Sequence, residues 1–184
     1  GTAWWLEDDL NAPGPYDNPE RRPNSERCLL GFGSTAGPPM LPVLYNNLKR
    51  IVQTEETVMV QVEMVHETRV IPTDSSPHVG ANIKSWRGDA RGHWDGDTLV
   101  VEIQNFNGKA PYQGSSDALT MTERYTRTGP DTLEYQFTVD DPKVFTRPWT
   151  GMFTFVRDES QYELVEYACH EGNYGMTNIL SGAR

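Results

Sequence analysis

The chain has 184 residues, with 26 acidic side chains, 16 basic side chains and a formal net charge of −10 at pH 7. Nucleic-acid backbones and anionic membrane surfaces are recognised by basic patches, so this balance argues against both partners and mainly favours solubility. The length fits a single domain with a sizeable core over residues 1–184. No stretch approaches roughly 18 consecutive apolar residues, so no membrane-spanning helix is predicted.

Residues 1–47 are rich in proline and glycine. Because proline fixes φ and removes a backbone donor, this region is predicted to be an N-terminal arm that wraps the domain without joining a central sheet. No signal peptide is visible, and the chain opens at Gly1 without Met, which is compatible with a leader that has been removed.

From Leu48 onward the sequence has the pattern that is typical of β-strands joined by short turns. Several such strands with little helical periodicity predict an antiparallel sheet closed into a barrel or sandwich over residues 48–172. A tail, 173–184, follows, with a short helix or loop over 173–180. The strands are predicted at 57–66 (with a continuation through 71 left open), 98–104, 118–127, 131–139, 151–156 and 162–169.

The motif Trp-x-Gly-Asp occurs twice, ending at Asp89 and Asp97, and the second copy leads into the β-rich run 98–102. Asp95 and Gly96 tolerate positive φ, which predicts a hairpin with a type I′ turn. Turn and capping roles account for these aspartates better than calcium does, since the EF-hand spacing is absent. The motifs of zinc hydrolases, serine hydrolases and nucleotide enzymes are also missing. We therefore predict no metal and no organic cofactor.

Two cysteines, Cys28 and Cys169, lie far apart in the chain, and neither belongs to a CxxC pair. A disulfide between the N-terminal segment and the last predicted strand is the favoured interpretation. Two buried free thiols are the second. A nucleophilic Cys169 beside His170 is the third, although neighbouring residues on a strand point to opposite faces.

Strand alternation identifies polar residues that point inward. On the strand predicted over 57–66, the valines and His66 share one face, and Arg69 belongs to the other. His66 is interpreted either as a core histidine whose ring nitrogens are hydrogen-bonded or as a catalytic or ligand-binding imidazole. Glu123 falls in the row of Met121 and Tyr125, so it either pairs with an arginine or has a raised pKa suited to proton transfer. At the end of the last strand, a His-Glu-Gly-Asn cluster is interpreted as a ligand site or as a polar exit loop.

The pattern WxGDxxGxWxGDTLVVE over 86–102 and several further motifs are similar to those of a large, mostly uncharacterised family of exported bacterial proteins. This family is abundant in soil and environmental lineages. The resemblance covers roughly residues 20–184. It implies a compact, lipocalin-like β-barrel and a periplasmic or secreted location, with a cytoplasmic location left open. The motifs include Arg27-Cys28-Leu29, Tyr45-Asn46-Asn47, Glu63-Met64-Val65-His66, Glu123-Arg124-Tyr125-Thr126-Arg127, Thr146-Arg147-Pro148-Trp149 and Glu166-Tyr167-Ala168-Cys169-His170-Glu171-Gly172-Asn173-Tyr174.

Two functions follow as hypotheses. The first, which we favour narrowly, is a cofactor-independent acid–base enzyme (a lyase, isomerase or hydrolase) acting on a small organic or sugar-like molecule inside the barrel. The alternative is a non-catalytic, lipocalin-like protein that binds a small molecule there. A carboxylate or second histidine within hydrogen-bond reach of His66 would favour the enzyme. A homo-oligomer is left open. The catalytic candidates are His66, Glu123, His170 and Glu171, and the substrate-binding candidates are Tyr45, Arg69, Arg124, Trp149 and Tyr174.

Overall fold

The computed structural model describes residues 14, 16–31, 37–109, 112–160 and 163–182. Over these residues the chain forms two antiparallel sheets and one short α-helix, which confirms the all-β prediction. The first sheet contains, in this order, β1 (Lys49–Gln53), β2 (Thr57–Val62) and β3 (Thr68–Pro72). The second contains β4 (Asp89–Asp95), β5 (Thr98–Gln104), β6 (Thr120–Gly129), β7 (Thr132–Asp140) and β8 (Trp149–Val156).

The two sheets do not join into a closed barrel within the described residues. Within each sheet the strands pair with their neighbours in chain order, and β3 and β4 contact each other between the sheets without a ladder. No ladder connects β8 to β1 in that part of the chain. The edge strands are therefore β1 and β3 in the first sheet and β4 and β8 in the second.

The strand predicted over 57–66 ends at Val62, because the chain reverses there. Val65 and His66 have φ angles of 57° and 39°, a region that β-branched and bulky residues rarely adopt. The amide of Val62 donates to the carbonyl of Glu67 at 2.8 Å, which closes the turn. The chain then continues as β3, antiparallel to β2.

This reversal changes the face on which Arg69 lies. A continuous strand would place Arg69 opposite the valine face. In the structure Arg69 stands directly across the ladder from Val60, and residues in that relation share a face. Arg69 is therefore directed inward and is only 6% exposed.

The second Trp-x-Gly-Asp copy forms the predicted hairpin, but its turn lies one residue later than expected and is not the predicted type I′, which needs positive φ at both loop residues, since Asp97 does not have a positive φ. Asp95 pairs with Thr98, so the two loop residues are Gly96 and Asp97. Gly96 has a φ of 58°, a conformation that glycine adopts at no steric cost.

The first copy holds the loop that precedes β4. The carboxylate of Asp89 accepts a hydrogen bond from the amide of Val79 at 3.1 Å and lies 2.8 Å from Nδ1 of His78. Its other oxygen accepts from Arg91 at 2.7 Å. Asp89 thus has the turn-stabilising role that the sequence indicated.

The C-terminal region contains no strand among its described residues. The strand predicted over 162–169 is absent from 163–168, and residue 162 lies outside the described part of the chain. A helix, α1 (Tyr174–Gly182), follows close to the predicted position. In the described residues no helix is long and apolar enough to cross a membrane.

The core contains side chains of both sheets and part of the N-terminal arm. Val60 of β2 and Val101 of β5 are fully buried. Met40 is also fully buried, and its amide donates to the hydroxyl of Tyr135 at 2.8 Å. The segment 37–40 of the arm is buried throughout, so this part of the arm helps to fill the core.

Candidate functional site

A cleft of about 390 Å³, open to solvent, lies between residues 25–28 of the arm and 166–173 of the C-terminal segment. A disulfide joins Cys28 to Cys169, the pairing that the sequence favoured, with 5.8 Å between the Cα atoms. The volume lies within the roughly 300–1,000 Å³ that is usual for small-molecule sites. Besides the two cysteines and Ala168, the cleft is lined by Ser25, Glu26, Glu166, Tyr167, Gly172 and Asn173.

The charged groups of the cleft are carboxylates. Glu26 accepts from Nε and Nη2 of Arg22 at 2.8 and 2.9 Å, whereas Glu166 is exposed. Carboxylates accept hydrogen bonds and disfavour anions. The cleft therefore suits a ligand that carries hydroxyl or other donor groups.

Asn173 connects the two sides of the cleft; the sequence analysis included it only as the last residue of the His-Glu-Gly-Asn cluster, without a role of its own. Its Oδ1 accepts from the amide of Met176 at 3.3 Å, which caps the first turn of α1. Its Nδ2 donates to the carbonyl of Glu26 at 2.7 Å. A cap residue directly before a helix is a recognisable sequence signal, but its second bond joins residues distant in the chain.

His66 is exposed and contacts the C-terminal segment. Its Nδ1 lies 3.1 Å from the carbonyl oxygen of Tyr167. A carbonyl only accepts, so Nδ1 is the donor in this contact, and in the neutral imidazole Nε2 is then the acceptor. The partner of His66 is thus a backbone carbonyl, not the carboxylate or second histidine that would favour catalysis.

Tyr45 also meets this segment. A hydrogen bond between its side chain and that of Tyr167 is the main cause of a raised pKa of Tyr167, followed by burial. His66 and Tyr45 therefore both contact Tyr167, which lines the cleft. The structure brings these two predicted residues to one place.

The remaining predicted residues of the C-terminal segment are exposed. His170 and Glu171 lie in the turn that precedes α1, and Tyr174, the first residue of α1, is 76% exposed. Their positions beside the cleft follow from their neighbours Cys169 and Asn173, which line it.

Glu123 lies in the core, where it is fully buried. Arg69 donates to both of its carboxylate oxygens, at 3.1 and 2.6 Å, and the hydroxyl of Tyr135 donates to Oε1 at 2.6 Å. Arginine pairing was one of the two interpretations of Glu123. With both oxygens engaged, this carboxylate serves a structural ion pair.

The groups around Glu123 have shifted pKa values. Burial is the largest single effect and lowers the pKa of Arg69, but attraction to Glu123, the hydrogen bond with it and the nearby Tyr125 and Tyr135 together raise this pKa by more, so the net shift is upward. Burial raises the pKa values of Tyr125 and Tyr135 well above their usual range, and the nearby Glu123 carboxylate adds to the rise. Both tyrosines are consequently neutral at physiological pH, and Tyr135 is the one whose hydroxyl donates to Glu123.

Two predicted substrate-binding residues lie elsewhere on the second sheet. Arg124 is next to the inward-facing Glu123 and therefore points outward, where it pairs with Asp95 at 3.0 Å. Trp149, on β8, packs edge-on against Phe137, with ring centroids 5.7 Å apart. Neither residue lines the cleft.

The described residues contain no group of three or more His, Cys, Asp or Glu side chains arranged to hold a metal ion. Chemically, the cleft can accept hydrogen bonds through Glu166 and offer the ring of Tyr167 as an apolar wall. Comparison of the chain with models of protein families, with curated proteins and with solved structures found no match in any of the three.

Proposed function

We propose that the protein binds a small, hydroxyl-rich, sugar-like molecule in the C-terminal cleft. The observation that supports this proposal is the cleft itself. It combines carboxylates with the ring of Tyr167 and is bounded by the disulfide and Asn173. Hydroxyl groups donate to carboxylates, and the apolar face of a sugar ring packs on an aromatic side chain. Because segments on both sides are covalently joined, the cleft keeps its shape without a ligand.

The proposal also includes the fold family and the cellular location of the protein. Two antiparallel sheets that contact each other through β3 and β4, with no ladder between β8 and β1 in the described residues, suit an open lipocalin-like barrel, and the motifs of 86–102 support membership of the exported bacterial family. A disulfide persists in oxidising compartments, which supports a periplasmic or secreted location.

Saturation-transfer NMR with glucose, galactose and cellobiose tests binding. Wild type is expected to transfer saturation to at least one sugar, and Glu166→Gln is expected to weaken binding about tenfold, since it removes a charge-assisted hydrogen bond. Glu163→Gln is the matched control, because Glu163 is an exposed carboxylate three residues earlier that does not line the cleft. Equal losses in the two variants, or no sugar bound by wild type, would overturn the proposal.

A second candidate function is acid–base catalysis on the bound molecule by His66, with His170 and Glu171 beside the cleft. The observation that favours it is the contact of Nδ1 with the carbonyl of Tyr167, which leaves Nε2 as a proton acceptor. In this proposal Glu123 and Arg69 support the fold and do not meet the substrate.

Product formation from a bound sugar, followed by NMR, tests catalysis separately from binding. His66→Gln is expected to abolish turnover while binding persists. His93→Gln, at an exposed histidine of β4, is expected to retain full turnover. Binding without any turnover by wild type favours the carrier and rejects the enzyme.

A further inference from the structure

The inner face of the edge strand β8 is only partly covered. Trp149, Phe153 and Phe155 alternate along this strand and point toward the interior, yet all three rings are half-buried. Gly151 stands between them, and the ring of Phe137 fills the space a side chain would need, since its nearest atom would be 2.5 Å from a Cβ there. We call Trp149, Phe153 and Phe155 the aromatic strip.

The inner face of β1, an edge strand of the first sheet, is also partly uncovered. Lys49 and Ile51 stand directly across the ladder from Val62 and Val60, both fully buried, so they share the inner face. Ile51 is nevertheless 44% exposed. An apolar residue that faces the interior and remains exposed marks a place where the two edges leave a gap.

Lys49 links the two edges across this gap. Its Nζ lies 5.5 Å from the ring centroid of Phe155, within cation–π range, and donates to the carbonyl of Asn47 at 3.2 Å. We call the aromatic strip, Lys49 and Ile51 together the seam. The seam thus joins one cation to an apolar surface.

No carboxylate lies within ion-pair distance of Lys49 in the described part of the chain, whereas Lys84 and Lys143 both pair with Asp117. Burial lowers the pKa of Lys49 to about 8. A half-buried cation without a carboxylate is costly, and an apolar side chain would fill the position at lower cost. This cation is also placed in a strongly acidic chain, of net charge −10.

We propose that the seam binds a small apolar carboxylate, such as an aryl-alkanoic acid. Its carboxylate pairs with the Lys49 ammonium, and its ring or alkyl chain packs on the aromatic strip. The positive charge selects an anion, and the half-buried rings select an apolar body. The site is distinct from the C-terminal cleft, whose carboxylates disfavour the same ligand.

Calorimetric titration of the oxidised full chain with 4-phenylbutyrate and with its uncharged analogue 4-phenylbutanol tests the proposal. Wild type is expected to bind the acid about tenfold more tightly than the alcohol, the effect of one charge-assisted contact. Lys49→Met is expected to remove that difference while alcohol binding persists. Lys109→Met is the matched control at an exposed lysine.

A Phe155→Leu variant tests the apolar half of the site. It is expected to weaken acid and alcohol by a similar factor, because both ligands lose the same ring contact. Urea unfolding of each variant checks that it is folded. Equal affinity of wild type for acid and alcohol, an unchanged preference in Lys49→Met, or no binding of either compound would overturn the proposal. Sugar binding at the C-terminal cleft is measured by saturation-transfer NMR in the same variants, and we expect it to be unchanged.

Discussion

Glu123 and Arg69 form an ion pair from which water is excluded, and each charge depends on the other. Removing one partner from such a pair leaves an uncompensated buried charge, which costs roughly 3–5 kcal/mol. Glu123→Gln keeps the shape of the side chain and removes its charge. We therefore expect a loss of about that size in the free energy of unfolding, measured by urea denaturation.

The matched control for this prediction is Glu102→Gln, an exposed carboxylate on the neighbouring strand β5. It should change stability by no more than about 0.5 kcal/mol. Replacing both partners, as Arg69→Met with Glu123→Leu, should recover most of the loss because no charge is left unpaired. A loss below about 1 kcal/mol in Glu123→Gln alone would contradict the ion-pair assignment.

Lys49 gives a prediction about pH. Its pKa is lowered from 10.5 to about 8 by burial, so the unfolded chain binds this proton more tightly than the folded chain. The resulting cost to stability is fully present below pH 8 and disappears as the pH rises toward 10.5. Lys49→Met should therefore raise the free energy of unfolding more at pH 7 than at pH 10.

Urea denaturation at the two pH values measures this difference. The apolar contacts of the introduced methionine are independent of pH, so the change between pH 7 and pH 10 isolates the charge. Lys109→Met, at an exposed lysine, should show no such change. A stability gain in Lys49→Met that is the same at both pH values would show that burial of the ammonium has no energetic cost.

At the scale of elements, α1 depends on Asn173 for its first turn. Asn173→Ala removes the cap and the bond to the carbonyl of Glu26, and loss of a cap costs about 1 kcal/mol. We expect faster amide hydrogen exchange in α1 and in residues 26–28. Asn178→Ala, at an exposed position within α1, is the control, and equal exchange in both variants would contradict the capping role.

Strands β2 and β5 to β8 were predicted near their observed positions, whereas β1 was not predicted, β3 was expected only as an open continuation of β2, and the reversal between β2 and β3 was missed. The alternation of apolar residues in β5, β6 and β7 is local, and the predicted bounds differ from the observed ones by two residues at most. The reversal at Val65 and His66 was missed, because neither residue is a usual turn former and the apolar pattern continues through it. That reversal is what carries Arg69 to the interior.

At the scale of the whole molecule, the disulfide joins residues separated by 141 positions. Closing a loop of that length in the unfolded chain corresponds to about 5 kcal/mol on the chain-entropy model, and measured effects are typically about 2–4 kcal/mol. Cys28→Ser with Cys169→Ser should lower stability by an amount in this range. The same variant should lose ligand binding at the cleft, because both of its sides are released.

Reductant provides the control for this prediction. It should lower the urea midpoint of wild type toward that of the double variant and leave the double variant unchanged. A wild-type midpoint that does not respond to full reduction, verified by thiol titration, would show that the bond contributes nothing to stability.

By itself, the sequence determined the all-β class, most strand positions, the hairpin after Trp94 and the favoured cysteine pairing. The strands and the hairpin follow from local alternation and turn chemistry, and the pairing follows from the presence of only two cysteines. The tertiary structure decided which charges are buried together and which segments enclose the cleft. Glu123 meets Arg69, and Asn173 meets Glu26, only after distant parts of the chain are packed. Partners of this kind depend on register and on reversals of the chain, and a single reversal changes the face of every residue that follows it in the strand.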